Sequence, residues 1–532
     1  MTWTKETSCG QEARKIIPFV VPYTRGQGLD LGCGDSKVLP HLMGMDNGGI
    51  YGPKGVDITG DIRDLSMFAD RSLNTVFSSH ALEDLEDTEA ALTEWWRVLA
   101  ENGCLTLYLP HKELYPNIGQ PGANPNHKHD FMPEDILGFM RAVAKKAGTG
   151  CQVLEDETRG ADEEYSFLQV FQKVPAAKGW IYKPWRRQPN STLIIRYGGF
   201  GDMAPVASAM ALLKSERQRH ITLNTTPRGL DAINGNPHID AVWLQDTDQV
   251  PNPHLGDYWR RLATRFDEVL NLSGSVEDSL LATEGRVEHD WPLQARQKIL
   301  GSVNYYEKTH DICGVSHVFD PQFYPTAEEA KWARKKKLKL GTATVMFVLQ
   351  GSSVHKVWPH LDKVVARLLL QTRCHIVLVG DKVCQVLERG WEKEPRVWRR
   401  SGVWSIRETL AFARQCDAVV GPETGVLNFV SAMPTVRKVC ILSHSSHENL
   451  TKHWRNTVAL QSQVPCAPCH RMHYSYKHCP KHPIERAAVC ATAVGPDPVF
   501  NAIVKKDVEG ALLVMAPFYE PPADPPQLLA AE

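Results

Sequence analysis

Short apolar runs alternate with amphipathic stretches along most of the chain, and this alternation restricts the fold more than any other feature. Strands are expected at Gly28–Leu31, Thr75–Ser78, Cys104–Leu109, Thr192–Arg196, Ala343–Leu349, His375–Val379, Ala418–Val420 and Val439–Leu442. Helices are expected between them at Asp87–Leu99, Pro205–Glu216, His360–Gln371 and Ser405–Gln415. Runs of this length and order build parallel sheets covered by helices on both faces, an α/β class. Ligands of such sheets bind beyond the C-terminal strand ends, so residues just after each strand are the first candidates for function.

The chain of 532 residues is too long for one such sheet, and charge divides it. Residues 1–175 hold 16 Lys+Arg and 26 Asp+Glu, and the remainder holds 44 and 35. The first part repels polyanions, and the second attracts a phosphate-bearing ligand. The boundary falls in residues 174–191, VPAAKGWIYKPWRRQPNS, which lack periodicity and hold three prolines. A Pro-rich tail occupies 509–532. The overall formal charge of -1 argues against a chain that coats nucleic acid. No apolar run reaches the roughly 18 residues of a membrane span, and the start, MTWTKETSCG, lacks a signal-peptide core. The expected compartment is the cytosol, where most of the 13 cysteines would be buried thiols.

Residues 28–36 read GLDLGCGDS, a strand followed by a tight glycine turn. Glycines there let backbone approach a ligand with no Cβ in the way. A second strand is expected at Gly55-Val56-Asp57-Ile58, and its Asp57 can accept both hydroxyls of a ribose. Gly60-Asp61-Ile62, Ser78-Ser79-His80-Ala81-Leu82-Glu83, Arg97-Val98-Leu99 and a closing strand at 165–173 follow. A dinucleotide site is the alternative for the glycine turn, but the third glycine of that fingerprint is missing.

This series over residues 25–175 resembles the class I S-adenosylmethionine-dependent methyltransferases. The resemblance implies that Asp30, Gly32 and Gly34 cradle the methionine part. It also implies that Asp57 holds the ribose and that Asp61 and Ile62 flank the adenine. Methyl transfer needs an aligned nucleophile and often a base. The candidates are His80, His111, His127, His129 and Asp130, with His127 and His129 foremost. His127, His129 and Asp130 sit in the polar loop QPGANPNHKHDFMPED at 120–135. The alternative is a capped loop in which both histidines bond only backbone.

In the second part, TLIIRYGGFGDMAPVASAMALLK at 192–214 is a buried strand, a glycine turn, Asp202 and a helix. Asp202 is either an N-cap or a base beside an acceptor hydroxyl. VMFVLQGSSVHKVWPHL at 345–361 places Lys356 in a small-residue loop suited to a diphosphate. Gly421-Pro422-Glu423-Thr424-Gly425 opens a further helix. These three motifs resemble the heptosyltransferases of glycosyltransferase family 9, over about 190–508. The resemblance implies a GT-B fold of two Rossmann-like domains, an acceptor domain at 192–335 and a nucleotide-sugar domain at 336–508. It implies inverting transfer from an NDP-sugar, typically ADP-heptose, to a glycan or glycoconjugate. Asp202 would be the base, Lys356 would neutralise the diphosphate, and Glu423, Thr424, Gly425 and Asn428 would meet the donor. The family's Asp-x-Gly-x-x-His reads here Glu423-Thr424-Gly425-Val426-Leu427-Asn428, which puts the donor in doubt because Asn cannot carry the charge of His.

Cys466-x-x-Cys469, with Cys479 and Cys490, makes a candidate structural zinc site. A basic loop contacting a phosphate is the alternative. The expected protein is a methyltransferase (1–175), a linker (176–191) and a glycosyltransferase acting on one glycan. A sugar- or nucleotide-binding protein without turnover, and a nucleic-acid-modifying methyltransferase, are the other readings.

Overall fold

The structure is a computed structural model that describes residues 12–34, 37–48, 56–161, 164–247, 249–273, 290–341 and 343–504. Asp35, Gly55 and the Pro-rich tail at 509–532 lie outside the described residues. Two compact units divide the chain, residues 1–193 with 243–269 and residues 194–242 with 270–532.

Eight strands form the sheet of the first unit: β1 (Gly28–Leu31), β2 (Met43–Asp46), β3 (Ile58–Thr59), β4 (Leu73–Ser79), β5 (Leu99–Pro110), β6 (Gly150–Arg159), β7 (Ser166–Val174) and β8 (Trp180–Tyr182). Their order is β3-β2-β1-β4-β5-β7-β6-β8. β1 pairs in parallel with β2 (Leu29↔Met43) and β4 (Leu29↔Val76), so the chain reverses direction outward from β1. β7 runs antiparallel between β5 and β6. This is the Rossmann-like methyltransferase arrangement expected from the sequence. Its core sets Leu29, Leu31, Val76, Leu105 and Leu107 of the sheet against Trp95 and Trp96. Those tryptophans come from the helix Thr88–Val98, which starts where the Asp87 carboxylate accepts the Ala90 amide at 2.9 Å.

Two segments differ from the sequence reading. The second strand is not 55–58 but Met43–Asp46, and Asp57 stands just before β3. MGMD is short and carries a glycine, so neither length nor β-branched content marks it. Within the segment read as a linker, Trp180–Tyr182 pairs with Cys151–Val153 as an added edge strand. The Arg141 guanidinium lies 4.8 Å from the Trp180 ring centroid and holds that edge down.

Residues 243–269 join the first unit through buried charge. Arg265 donates to Glu155 at 2.7 Å, and both side chains are almost fully enclosed. Tyr23 donates to the same carboxylate, also at 2.7 Å.

Two further sheets follow. One has four strands, β9 (Ser191–Ile195), β10 (His220–Thr225), β11 (Ala241–Leu244) and β12 (Glu268–Asn271), in the order β11-β10-β9-β12. The other has six, β13 (Thr344–Val348), β14 (His375–Val379), β15 (Val397–Arg399), β16 (Ala418–Pro422), β17 (Arg437–Leu442) and β18 (Thr457–Gln461), in the order β15-β14-β13-β16-β17-β18. All its pairings are parallel. Successive residues of β13 enter opposite cores, Val345 and Phe347 on one face, Met346 and Val348 on the other. That explains why β13 is apolar throughout rather than alternating. The α/β class expected from the sequence is the one found, a Rossmann-like sheet followed by two further sheets, the second of them parallel throughout.

Breaking one partner of a buried ion pair leaves the other charge stranded. Arg265→Ala is therefore expected to destabilise the first unit by about 3–5 kcal/mol. Hydrogen exchange of the β6 amides measures this, and wild-type protection in the variant would contradict it.

Candidate functional site

In the first unit the glycine turn leaves β1 at Leu31. Gly32 has φ +72° and Gly34 +55°, values that favour glycine. A Cβ on Gly32 would overlap the Cβ of Ala81, and the Ile62 side chain would lie 3.9 Å away. The turn, the residue after His80 and the expected adenine neighbour thus converge at the C-terminal ends of β1 and β4. Asp30 is buried and accepts the Val38 amide at 2.5 Å, closing the turn from beneath. Burial pushes its carboxyl up to about 7.

The acidic residues around this turn sort differently from the expectation. Asp46, at the end of β2, accepts the Gly34 amide at 3.1 Å and the Gly48 amide at 3.0 Å. Sequence reasoning missed it because its strand was missed. Asp57 instead accepts the Gly44 amide at 2.8 Å and the Lys37 ammonium at 2.9 Å. The Lys37 hydrogen bond is the main reason its carboxyl is held below the ordinary range. Asp61 is exposed and paired with Arg63, while Ile62 is buried and accepts the Trp95 indole N–H at 2.7 Å.

The two loop histidines part company. His127 is buried, with Nε2 3.6 Å from Glu83 Oε1. His129 stacks on Phe131 at 5.3 Å and reaches the Glu86 carbonyl at 3.2 Å. Lys128 and His129 donate their amides to the Glu83 carbonyl, whereas the His127 amide donates to the Asn124 carbonyl. His80 has Nδ1 3.8 Å from Glu83 Oε1, and its Nε2 meets Ser166 Oγ at 2.9 Å. Of the remaining candidates, His111 is buried against Phe167, and Asp130 accepts the Ile118 amide. Sequence inspection placed Glu83 within a motif but gave it no role.

In the second unit Asp202 follows the glycine turn after β9. Its Oδ2 accepts the Gly199 amide at 3.0 Å and faces Arg196 Nη2 at 3.1 Å. Arg196 is buried and donates to the Leu272 and Ser273 carbonyls, so it is a rigid support. Lys356 is buried with Nζ donating to the Glu423 carbonyl at 2.9 Å. Burial pulls its ammonium below the ordinary range, opposed by Glu423 and Asp202. A Cβ on Gly351 would meet the Lys356 stem and, at 3.4 Å, Thr424 Cγ2. The loop after β13 and the turn after β16 therefore meet at Lys356.

Glu423 turns inward. Its carboxylate accepts the amides of Ser443 (2.6 Å), His444 (3.1 Å) and Ser445 (3.2 Å), and the Ser443 hydroxyl. Asn428 Nδ2 donates to the Gly201 carbonyl at 3.3 Å. A Cβ on Gly425 would stand 2.7 Å from Gly201 Cα and overlap the Phe200 ring. The turns bearing Asp202 and Thr424 are thus packed backbone against backbone. Thr424 Oγ1 and Asn428 Oδ1 are buried without a hydrogen-bond partner.

Cys466, Cys469, Cys479 and Cys490 line one cavity of 110 Å³, with Arg296, His355 and His473. Burial raises all four thiols, Cys469 up to about 11 and Cys479 up to about 12. Among the described residues, the set whose ligand atoms come within 4.8 Å of one another is His355, His473 and Cys479, not the four cysteines. His355 already meets Ser353 Oγ at 3.1 Å and His444 at 3.0 Å.

Residues 29–107 match the sequence profile of a methyltransferase domain family, so the first unit contains such a domain. A search of curated proteins returns no match. Solved structures similar to the chain include a family 9 glycosyl transferase of Veillonella parvula (14% identity, 52% of this chain and 87% of that one, TM-score 0.40). Others are the ADP-heptose lipopolysaccharide heptosyltransferase II of E. coli (12%, 59% and 97%, 0.41) and a SAM-dependent methyltransferase of Archaeoglobus fulgidus (14%, 30% and 92%, 0.24). The fold description rests on the strand orders above, not on these likenesses.

Overpacking at a closed contact typically costs about 1–3 kcal/mol. Gly425→Ala is expected to lower the stability of the second unit by that amount, measured by urea unfolding. Gly495→Ala, in the same unit and with nothing within 4 Å of a Cβ, is the control. Equal midpoints for the two variants would contradict the packing described.

Proposed function

We propose that the chain is a bifunctional transferase. The first unit moves a methyl group from S-adenosylmethionine, and the second moves a sugar from an NDP-sugar, ADP-heptose-like, to the same glycan or glycoconjugate. The observation that carries the first half is the glycine turn closed on Ala81 at the end of β1, inside the segment that matches a methyltransferase domain. S-adenosylmethionine, when bound, supplies an electrophilic methyl on a sulfonium.

The residues present fit that group. Gly32 and Gly34 take the positive φ that the tight turn needs, and Gly32 packs too close to Ala81 to carry any side chain. Asp30 holds the turn in shape through Val38, and Ile62 offers an apolar wall for the adenine. For the ribose, Asp46 is favoured over Asp57 by its place at the end of β2, the strand paired with β1, each carboxylate already accepting two partners. His127 is favoured over His129 as the base, because it is enclosed beside a carboxyl group.

For sugar transfer, Asp202 is the proposed base and Lys356 the proposed partner of the diphosphate. Arg196 orients the Asp202 carboxylate. Lys356 is buried and carries one carbonyl partner, which leaves ammonium donors for an anion. Thr424 and Asn428 bring unpartnered buried oxygens to the same turn. Glu423 serves this site through its backbone carbonyl, since its carboxylate is saturated by Ser443–Ser445. A structural zinc ion at the cysteine cavity is proposed with His473 and Cys479 among its donors, both in the set whose ligand atoms lie within 4.8 Å of one another. Holding it at His355 as well would break the contact with His444. Cytosolic location is retained as part of this proposal, and among the described residues no helix is long and apolar enough to cross a membrane.

Calorimetry with S-adenosylmethionine tests the methyl half. Asp46→Ala is expected to weaken binding about tenfold or more, the loss of a charged hydrogen bond of about 1.5–3 kcal/mol. Asp57→Ala is expected to change it less. No heat with wild type would remove the reading, and the reverse order would return the ribose to Asp57. For the sugar half, release of nucleoside diphosphate from a panel of nucleotide sugars is the readout. Asp202→Ala is expected to slow turnover about 10²–10⁴-fold with donor affinity kept. Lys356→Ala is expected to weaken diphosphate binding itself. Wild-type turnover in Asp202→Ala would contradict the base, and tight NDP binding with no turnover would favour a binding protein. One equivalent of zinc by elemental analysis, lost in Cys479→Ser, is the expected metal result.

A further inference from the structure

Glu83 is fully buried, and neither carboxyl oxygen has a hydrogen-bond partner. A buried acid group left in this state costs free energy unless something uses it. Two imidazoles face its Oε1, His127 Nε2 at 3.6 Å and His80 Nδ1 at 3.8 Å. The group sits two residues after Ala81, which packs against the Gly32 turn. Tyr115, whose ring centroid is 5.3 Å from that of His127, also lines an open depression of 590 Å³ with Asn117, Gln120 and Met132. The depression thus lies one ring away from His127.

We propose that Glu83 is the positioning residue that holds His127 with Nε2 protonated, leaving the Nδ1 lone pair to take the proton of a hydroxyl acceptor. This rests on the methyl-transfer reading above. The acceptor class follows from the need for a base. An alcohol must give up its proton as the new bond forms, whereas a neutral amine can lose its proton to water afterwards. In the step, the hydroxyl oxygen gains the methyl carbon, its proton goes to His127 Nδ1, and the sulfonium sulfur keeps the C–S electron pair as a neutral thioether. The imidazolium then stands beside the Glu83 carboxylate, the arrangement that stabilises a transient imidazolium in carboxylate–histidine pairs.

Only one protonation state of Glu83 permits this. A protonated Glu83 would donate to Nε2, which forces the proton of neutral His127 onto Nδ1 and blocks it. Burial, with the Asp84 carboxylate adding to it, pushes the Glu83 carboxyl up to about 8. Burial also lowers His127, opposed by Asp84 and Asp130, so its ring stays neutral as Glu83 ionises. His80 is pulled down to about 3 by burial, then by His127 and Lys15, and brings no charge of its own. Tyr165 and Tyr115 complete the surroundings, with burial raising Tyr165 above its ordinary range. The base is therefore switched on as pH rises through the Glu83 transition.

The test reads the tautomer, not turnover. Full-length protein labelled with ¹⁵N-histidine is titrated from pH 6 to 9.5 by long-range ¹H–¹⁵N spectroscopy, with His127→Gln to assign the ring. The expected result is a change of His127 from Nδ1–H to Nε2–H near pH 8. Glu83→Gln is expected to abolish it, and Glu83→Asp to keep it with a shifted midpoint. A wild-type ring that never changes tautomer, or a change that survives in Glu83→Gln, overturns the proposal. If Glu83→Gln fails to fold by circular dichroism, the wild-type and Glu83→Asp titrations decide. S-adenosylmethionine calorimetry on the same sample separates the two readings. Binding without the tautomer change removes the Glu83 role alone, and the change without binding overturns the assignment of the pair to methyl transfer.

Discussion

At Gly32 the turn after β1 lies so close to Ala81 that no side chain fits between them, and at Gly425 the turn after β16 lies equally close to Gly201. Much else in the two units depends on these close approaches at the ends of strands, of backbone to the Ala81 methyl in the first and of backbone to backbone in the second. Parallel pairing brings β1 and β4 side by side, so their C-terminal ends open onto one place. The absence of Cβ atoms there lets Ile62, Ala81 and the 31–34 backbone share it. In the second unit the same device locks the Asp202 turn against the Thr424 turn, and Asn428 reinforces it through the Gly201 carbonyl.

Two buried glutamates show how environment separates scaffold from chemistry. Glu423 accepts three amides and a hydroxyl, so its charge is held by the loop after β17. Glu83 has no donor and two imidazoles nearby, and it sits two residues after Ala81, which packs on the glycine turn after β1. A saturated carboxylate supports structure, while an unsatisfied one between histidines is available to a proton.

The strands at His375–Val379 and Ala418–Val420 were legible because a buried parallel strand reads as a nearly unbroken apolar run. Helix starts at Asp87 and Ser405 were legible through their capping side chains. β2 was not, because MGMD has neither length nor β-branched residues, and losing it moved the ribose candidate from Asp46 to Asp57. Glu83 carried no signal of its own, because its importance comes from His127, 44 positions later in the chain. The cysteine spacing suggested four ligands, but the fold sets Cys479 against His355 and His473, which lie apart from it in sequence. Local pattern was readable, and side-chain meetings made by the fold were not.

The central claim is that one chain holds a methyl-donor site and a separate nucleotide-sugar site. Equilibrium dialysis of the intact protein with labelled S-adenosylmethionine and labelled ADP together tests it most directly. The account predicts one equivalent of each bound at once, with neither displacing the other. Competition between the two ligands, or failure of either to bind, would contradict it.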